Sequence, residues 1–421
     1  MVRRHFSTLL TKIRRAAGSL AAAATLATAG SAAIAEEPKT FLMHYMPWYE
    51  TPEVSGKWGA HWTGWDRQHN PEQTDKYGMP DIYSHYHPLI GLYDSSDAHV
   101  VEAQLQQMKL AGVDGVVPDW YGTIDHHDYA PIHEATKVLF EQAGKVGLTF
   151  AVCYEDRTIQ ELVKADKATD ADLAAPIAES FQWVEANWFS APHYQRYMGR
   201  PLVLNFGPIY VKDAEAWRSA FDTLDQRPAF FALHHLWQDI DADGGFTWAH
   251  NREFTGTPTA AEMVDRLANV FRYPSSNPDQ VITSALPGFH DIYTTTYHYI
   301  PHRGNETLRW HLDAAMKVES PIVQLVTWND YGEGTMIEPT HEFGYLFLET
   351  IQDTRRAEAE ALGRAFPFTH DDLRLPARLL RARQAGTHAA PTLDRIAAML
   401  NRAKTEADTR AARRALDTLH D

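Results

Sequence analysis

Short apolar runs alternate with helix-like segments along most of this chain, and this alternation constrains the fold more than any other feature. Eight runs have the composition of buried strands: residues 41–49, 112–122, 148–156, 201–208, 229–237, 244–250, 281–291 and 321–330. Most of the intervening stretches carry apolar residues at helical spacing. Alternating strands and helices form parallel sheets, and eight strands predict an α/β fold, a closed (β/α)8 TIM barrel. The fifth unit is the weakest, because "QDIDAD" leaves no room for a helix.

The N-terminus departs from this pattern. Residues 1–35 carry five basic residues and no acidic ones, and an alanine-rich uncharged stretch ends in Ala33-Ile34-Ala35. This arrangement is typical of a signal peptide, so we expect cleavage before Glu36 and a periplasmic or secreted protein. The Arg3-Arg4 pair leaves both the general and the twin-arginine export routes open.

The C-terminus differs as well, since it becomes rich in Ala, Arg and Leu from about residue 358. Leu393, Ile396, Leu400 and Ala403 fall on one helical face, which predicts an amphipathic helix packed on the barrel or on a neighbouring helix. The predicted organisation is a signal peptide at 1–35, a catalytic barrel at 36–357 and a helical extension at 358–421.

Charge and cysteine content exclude several classes of partner. Without residues 1–35 the chain has 34 basic and 55 acidic residues, a net charge of −21. Such a balance argues against nucleic acid or an anionic membrane surface as a partner. No later stretch is long and apolar enough to span a membrane, so we expect no membrane insertion after signal removal. Cys153 is the only cysteine and lies in an apolar run, which indicates a buried, inert thiol.

Polar and aromatic residues cluster where the predicted strands end. Because loops after the C-terminal ends of barrel strands build the active site, these residues are candidates for contact with a ligand. Aromatic rings stack on sugar rings while acids, amides and imidazoles bond hydroxyl groups, so this lining predicts a carbohydrate substrate. The candidate substrate-binding residues are His44, Tyr45, Trp48, Asp119, Trp120, Tyr154, Glu155, Asn205, His235, Trp248 and His290. The long first loop adds Trp62, which lies with Trp58 and Trp65 in "KWGAHWTGWDRQHN".

The run "LVTWNDYGEGTMIEP" places Asp330 and Glu333 three residues apart, just past the eighth strand. Glycosidic cleavage needs two carboxyl groups, an acid for the leaving oxygen and a base or nucleophile on the far side of the sugar. Gly332 lies between them and relaxes the backbone, so both could reach one cleft. Acids that cap a helix N-terminus are the alternative interpretation. Trp328 and Tyr331 flank the pair and complete the candidate substrate-binding set. Glu338 is ambiguous, because its position fits a role in the site and a role as an anchor of the loop equally well.

The motif "TWNDYGEGTMIEPT" resembles the signature of glycoside hydrolase families 71 and 99, which share a (β/α)8 fold. "HYMPWY", "GVDGVVPDWYG", Glu155 and "LPGFHD" fit the same pattern, and the resemblance spans roughly Thr40 to Glu349. Family 99 comprises endo-acting α-mannan enzymes with two glutamates in this motif; the first deprotonates the sugar's 2-hydroxyl to give an epoxide, and the second is the acid/base. Family 71 comprises inverting α-1,3-glucanases with Asp and Glu at these places, as in this chain.

The resemblance implies a glycoside hydrolase that cleaves an α-glucan or α-mannan, is endo-acting, and uses Glu333 as general acid and Asp330 as general base. Asp is one methylene shorter than Glu, which favours attack by an activated water, with inversion, over the epoxide route. No cofactor and no metal are expected, because His126-His127 and His234-His235 are adjacent pairs that would face opposite ways on a strand. A non-catalytic glycan-binding protein, or a factor in polysaccharide export or modification, is the alternative on the same barrel. The sequence leaves the oligomeric state open.

Overall fold

The structure is a computed structural model that describes residues 37–248, 254, 256, 258–293 and 299–419. The predicted signal peptide lies outside the described residues, so its cleavage stays a prediction. The strands are β1 Thr40–Tyr45, β2 Gly115–Trp120, β3 Thr149–Phe150, β4 Val152–Tyr154, β5 Arg196–Tyr197, β6 Arg200–Asn205, β7 Ala229–Leu233, β8 Gly244–Phe246, β9 Val281–Ala285, β10 Phe289–His290, β11 Tyr299–Ile300 and β12 Ile322–Leu325.

Eight parallel barrel strands close on themselves within the described part of the chain. Their order is β1, β12, β9, β8, β7, β6, β4 and β2, and β2 pairs with β1 to complete the ring. The third barrel strand is interrupted, since β3 and β4 both pair with β2 on either side of Ala151. The predicted TIM barrel is therefore confirmed, with every one of the eight predicted runs supplying one barrel strand.

Side chains alternate between the barrel interior and the surrounding helices, as the twofold period of a strand requires. Leu42, Val117 and Cys153 belong to the interior cluster, while Phe41 and Val116 belong to the larger cluster that includes the helices. Cys153 is buried, as expected. This alternation decides which residue at each strand end faces the cleft at the C-terminal mouth of the barrel.

Helices cover the barrel from outside. They are α1 Pro52–Ser55, α2 Ala60–Thr63, α3 Ala98–Ala111, α4 Tyr129–Val146, α5 Arg157–Lys164, α6 Ala174–Val184, α7 Ala214–Phe221, α8 Ala260–Arg272, α9 Glu306–Lys317, α10 Leu346–Ala361, α11 Leu375–Ala385, α12 Ala390–Arg402 and α13 Glu406–Asp417. Between β7 and β8 the chain forms only a short 3-10 turn, Trp237–Ile240, which agrees with the predicted lack of a helix there. No helix in the described residues combines the length and apolarity needed to cross a membrane.

The C-terminal helices pack on the barrel through α3. Glu102 of α3 accepts hydrogen bonds from Arg383 of α11, at 2.7 Å, and from Asn401 of α12, at 2.7 Å. The predicted face of α12 is buried, and a break in the chain separates this helix from α13. The break is set by Thr405, which caps α13 in a capping box with Asp408. The predicted domain boundary at 357/358 falls within α10.

Candidate active site

A tight turn after β12 holds the two candidate catalytic acids. The Asp330 N–H donates to Thr327 Oγ1 at 2.8 Å, and the Glu333 N–H donates to Asp330 Oδ1, also at 2.8 Å. The Thr335 N–H returns to the Asp330 carbonyl oxygen at 3.2 Å. The turn therefore fixes both acids on one loop at the mouth of the barrel, and a carboxylate oxygen of one acid orders the backbone of the other.

Asn329 joins this turn to the first strand's exit. Its Oδ1 accepts the Met46 N–H at 2.8 Å, and its Nδ2 donates to the Met46 carbonyl oxygen at 3.0 Å and to the Tyr93 hydroxyl at 3.0 Å. The Tyr49 hydroxyl donates to the Asn329 carbonyl oxygen at 2.7 Å. All four residues are buried. Removing any partner would leave a buried polar group unsatisfied, so this network limits the freedom of the neighbouring Asp330.

Glu338 anchors the far end of the same loop. It accepts hydrogen bonds from the hydroxyls of Tyr93 and Tyr331, at 2.8 and 2.9 Å, and from Gln104 Nε2 at 2.8 Å. Burial raises the pKa of Glu338 to about 7, although the three hydrogen bonds oppose this shift. Of the two interpretations that the sequence left open, the anchoring of the loop is the one that these contacts support.

The segment after β9 covers the other side of the turn. The His290 N–H donates to the Glu333 carbonyl oxygen at 2.7 Å, and the Ile292 N–H donates to the Gly332 carbonyl oxygen at 2.9 Å. A Cβ atom at Gly332 would lie 1.8 Å from the Tyr293 hydroxyl oxygen. Residue 332 must therefore lack a side chain for the Tyr293 hydroxyl to lie against the turn between the two acids.

Five carboxyl groups interact around this turn. Burial raises the pKa of Asp119 well above its usual range, and the charges of Glu155, Asp330 and Glu333 raise it further. Burial raises the pKa of Glu155 to about 7, while Arg157 opposes the shift. Asp291 contributes its charge to the same cluster. Carboxyl groups that shift one another's pKa in a cleft are a recognised mark of a catalytic site.

The two acids of the turn differ in how firmly they hold a proton. Burial raises the pKa of Asp330 to about 7, and the backbone N–H groups of Glu333 and Gly332 oppose the shift. Burial raises the pKa of Glu333 well above its usual range, with further increases from the charges of Asp330, Asp291 and Glu155. Glu333 Oε2 is buried and has no hydrogen-bond partner among the described residues. Glu333 is therefore arranged to carry a proton, and Asp330 is the group that ionises first.

The structure brings six of the predicted residues to this region. Asp119 and Glu155 join the carboxyl cluster, and His290 supports Glu333 through its backbone. The rings of His44 and Trp248 meet edge to face, with 4.8 Å between their centroids. A hydrogen bond from the Trp248 side chain lowers the pKa of Glu333. Burial lowers the pKa of His44 to about 3, so this imidazole is neutral at ordinary pH. Trp48 is half-buried beside the first loop and stacks on His61 at 4.1 Å.

Four predicted residues are fully buried among other side chains, so we assign them to the core rather than to substrate contact. The Tyr45 hydroxyl donates to Gln104 Oε1 of α3 at 2.7 Å. The indole N–H of Trp120 donates to His133 Nδ1 of α4 at 3.2 Å, and Tyr154 packs beside Trp120 at 5.9 Å between ring centroids. Trp62 is fully buried, and its indole donates to the Tyr93 carbonyl oxygen at 3.0 Å.

The four remaining predicted residues lie outside the cluster of carboxyl groups. Trp328 and Tyr331 are fully buried, and the Tyr331 hydroxyl is used by Glu338, so neither presents a surface to a sugar. Asn205 is buried with its Nδ2 3.5 Å from Asp156 Oδ1, in the network that holds the backbone after β6. The His235 side chain is largely exposed beside His234, and removal of part of its ring from water lowers its pKa.

Three residues at the site, Tyr293, Asp291 and Tyr121, are absent from the set predicted from the sequence. Tyr293 and Asp291 follow the seventh predicted strand, which was the available signal, and Tyr293 lies against Gly332 of the turn that holds both acids. Tyr121 hydrogen-bonds Asp119 and lowers its pKa. Its position after the second strand was the available signal, but the neighbouring Trp120 was preferred.

Comparison with known proteins identifies the class of protein. A sequence profile described as glycosyl hydrolase family 99 matches residues 38–227. A glycoprotein endo-alpha-1,2-mannosidase of Mus musculus is 24% identical over 324 residues, which cover 72% of this chain and 68% of the mouse protein. An endo-alpha-1,2-mannosidase-like protein of Danio rerio is also 24% identical, over 72% of each chain.

A solved structure gives the same answer for the fold. The GH99 endo-alpha-mannosidase from Bacteroides thetaiotaomicron superposes with a TM-score of 0.57 at 19% identity, over 76% of this chain and 98% of that one. The predicted resemblance to families 71 and 99 is thus confirmed, and family 99 is the one to which the profile and the solved structure belong. The chain is a glycan-cleaving glycoside hydrolase, and the expectation of endo action agrees with the names of its relatives.

Proposed function

We propose that this protein is an endo-acting hydrolase of α-linked mannosides, with Asp330 as the base and Glu333 as the general acid. The observation that carries this proposal is the turn after β12, which holds both acids and gives them different affinities for a proton. The names of the curated relatives support an α-mannoside over an α-glucan as the substrate.

The proton held by Glu333 passes to the leaving oxygen as the bond from that oxygen to the anomeric carbon breaks. Asp330, in its ionised form, removes a proton from the attacking oxygen on the opposite side of the sugar. That attacking oxygen belongs to a water molecule, and it forms the new bond to the anomeric carbon as the old bond breaks. Asp330 then returns its proton to solvent, and Glu333 takes one up, before the next cycle. Burial raises the pKa of both acids, which makes Asp330 a stronger base when ionised and keeps the transferable proton on Glu333.

A substrate panel tests the proposal. The wild-type protein, Asp330→Asn and Glu333→Gln are incubated with α-mannans and α-glucans, and the product lengths are followed by chromatography. We expect internal cleavage of an α-mannan by the wild type alone, with both variants folded but reduced by about 10²–10⁴-fold or more. Near wild-type turnover in either variant would remove that residue from its role, and exclusive cleavage of α-glucans would overturn the substrate assignment.

The stereochemical course separates two routes that share these roles. Attack by water gives inversion, so an α-linked substrate releases the β anomer first. The short Asp330 side chain, held back by the Glu333 N–H at 2.8 Å, supports this route. NMR before mutarotation measures the first anomer, and release of the α anomer would contradict inversion and favour attack through the 2-hydroxyl.

We also propose that the protein is exported, with residues 1–35 removed. The support is the basic start, the alanine-rich stretch and the Ala33-Ile34-Ala35 site. N-terminal sequencing of protein from a native host should read from Glu36. A chain that keeps Met1 in the cytoplasm would overturn this proposal.

A further inference from the structure

His302 reaches the turn after β12 from the segment between β11 and α9. Its side chain is buried, and its Nε2 lies 2.9 Å from the Gly334 carbonyl oxygen. A carbonyl oxygen only accepts hydrogen bonds, so Nε2 carries a hydrogen and donates it. Because Gly334 directly follows Glu333, this imidazole holds the peptide group next to the proposed general acid.

Two donors hold the backbone on the C-terminal side of Glu333. The His290 N–H donates to the Glu333 carbonyl oxygen at 2.7 Å, and His302 donates to the next carbonyl oxygen along the chain. Gly334 itself has a φ of +66°, and a glycine has more backbone freedom than any other residue. The two hydrogen bonds therefore do more to fix this part of the turn than the conformational preference of Gly334 does.

The carboxyl group of Glu333 depends on this backbone for its direction. Its Oε2 is buried and has no hydrogen-bond partner among the described residues, so no donor in that part of the chain aims this oxygen. A rotation of the peptide group at Gly334 would shift the Cα–Cβ bond of Glu333 and move the carboxyl group away from the leaving oxygen. A displacement of about 1 Å at a reacting group can slow a reaction by roughly 10²-fold.

The surroundings of His302 fix the position of its ring. Phe343 and Phe347 lie against it, with 4.9 and 5.8 Å between ring centroids. A Cβ atom at Gly288 would lie 2.6 Å from His302 Cγ, so the chain after β9 also approaches the imidazole closely. The ring cannot leave the Gly334 carbonyl oxygen without displacing these neighbours.

The protonation of the imidazole suits a donor at Nε2. Burial lowers the pKa of His302 to about 4, so the ring is neutral at ordinary pH and carries one hydrogen. The Tyr86 hydroxyl lies 3.5 Å from His302 Nδ1, and burial raises the pKa of Tyr86, which keeps this hydroxyl protonated. A hydroxyl donor beside Nδ1 favours the tautomer with its hydrogen on Nε2.

We propose that His302 is a positioning residue for the general acid: its Nε2–H holds the Gly334 carbonyl oxygen and thereby directs the Glu333 carboxyl group towards the leaving oxygen. The inference rests on the proposed function, because it takes Glu333 as the acid. His302 acts through the backbone and not on the sugar, so its loss should affect proton donation rather than substrate binding.

Two amide substitutions at one position test this role. Glutamine places its Nε2 near the Nε2 of the imidazole, whereas asparagine is one methylene shorter and leaves the Gly334 carbonyl oxygen without a donor. His302→Gln and His302→Asn are compared with the wild type on an α-linked manno-oligosaccharide and on the corresponding α-fluoride, whose leaving group departs without protonation. The ratio of the two rates does not depend on how much of a preparation is folded.

We expect His302→Asn to lower kcat on the oligosaccharide by about tenfold to 10²-fold but on the fluoride by less than about threefold, with KM unchanged on both. His302→Gln should keep both rates within about threefold of the wild type. His311→Gln is the matched control, because His311 is also buried and bonds a backbone carbonyl oxygen, that of Thr307 at 2.8 Å, away from the turn. It should leave the ratio of the two rates unchanged.

The outcomes separate the role of His302 from the proposed function, with Glu333→Gln in the same assay to show how loss of the acid itself depends on the leaving group. If Glu333→Gln loses more on the oligosaccharide than on the fluoride but His302→Asn loses both rates alike, the positioning role is overturned. An equal loss in His302→Gln and His302→Asn would overturn the assignment to the Nε2 donor. A wild type that cleaves neither substrate, or a Glu333→Gln protein that loses both rates alike, would overturn the proposed function instead.

Discussion

Replacement of Asp330 by asparagine should abolish activity and at the same time stabilise the fold above neutral pH. Burial holds the pKa of Asp330 at about 7 in the folded protein, against an ordinary value of 3.8. Because the folded pKa is the higher one, folding favours the protonated form. The free energy of unfolding is therefore unaffected by Asp330 below pH 3.8. It falls as the pH rises and reaches its lowest value above pH 7.

The size of the effect follows from this difference. A shift of about three units, at 1.36 kcal/mol each, costs the folded state about 4 kcal/mol at most above pH 7. At pH 5 the cost is smaller, about 1–2 kcal/mol, since only part of the shift is expressed there. Asparagine removes the charge but keeps an oxygen that accepts the Glu333 N–H, so the turn is preserved.

Urea unfolding at pH 5 and pH 8 measures the difference in the free energy of unfolding between the variant and the wild type. We expect Asp330→Asn to be the more stable protein at both values, with the larger gain at pH 8. Asp66→Asn, at an exposed position in the first loop, is the control and should change little at either pH. An Asp330→Asn protein that is less stable than the wild type at pH 8 would refute the account of a strained, buried carboxylate.

Three further predictions address the surroundings of the two acids. Gly332→Ala should reduce kcat by about tenfold or more, because its Cβ would lie 1.8 Å from the Tyr293 hydroxyl oxygen. The double variant with Tyr293→Ala removes this clash and should fold as well as Tyr293→Ala alone. Equal activity of Gly332→Ala and the wild type would contradict this prediction. Glu338→Gln should lower the free energy of unfolding by about 1–3 kcal/mol, because the new amide N–H₂ would face groups that now donate to the carboxylate. A urea titration that shows no loss would contradict the anchoring role of Glu338. The rate kcat/KM should rise with pH through about 7 as Asp330 ionises, and fall only at higher pH where Glu333 loses its proton, so a rate that declines between pH 6 and 8 would reverse the two roles.

The barrel could be predicted from the sequence because each strand is a short, nearly continuous apolar run. Such runs bury both faces of a parallel strand, and the missing helix after the fifth strand was visible as a polar hexapeptide. The two acids could be predicted because they follow the last strand at a glycine-containing turn, the place where a barrel builds its site.

The choice between neighbouring residues at the strand ends could not be predicted. A shift of one residue moves a side chain to the other face of a strand, and the sequence does not mark where the last paired residue lies. His44, Asp119 and Glu155 lie at the cleft, while Tyr45, Trp120 and Tyr154 beside them face the helices. At each of these ends the polar residue faces the cleft and the aromatic one packs in the core.

Contacts between distant loops were also beyond the sequence. The tryptophans of the first loop differ only in burial, which is set by Tyr93 and the other residues that cover Trp62 but not Trp65. The approach of Tyr293 to Gly332 depends on the pairing of the segment after β9 with the turn after β12. Neither arrangement has a local pattern that marks it.

The division of roles between Glu333 and Asp330 is tested most directly with a leaving group that needs no proton. Glu333→Gln and Asp330→Asn are compared on an α-linked mannan oligosaccharide and on a mannobiosyl α-fluoride. Because fluoride departs without protonation, Glu333→Gln should lose about 10²–10⁴-fold on the oligosaccharide but less than about tenfold on the fluoride, while Asp330→Asn stays inactive on both. Equal impairment of Glu333→Gln on the two substrates, or recovery of Asp330→Asn on the fluoride, would contradict the assignment of Glu333 as the acid and Asp330 as the base.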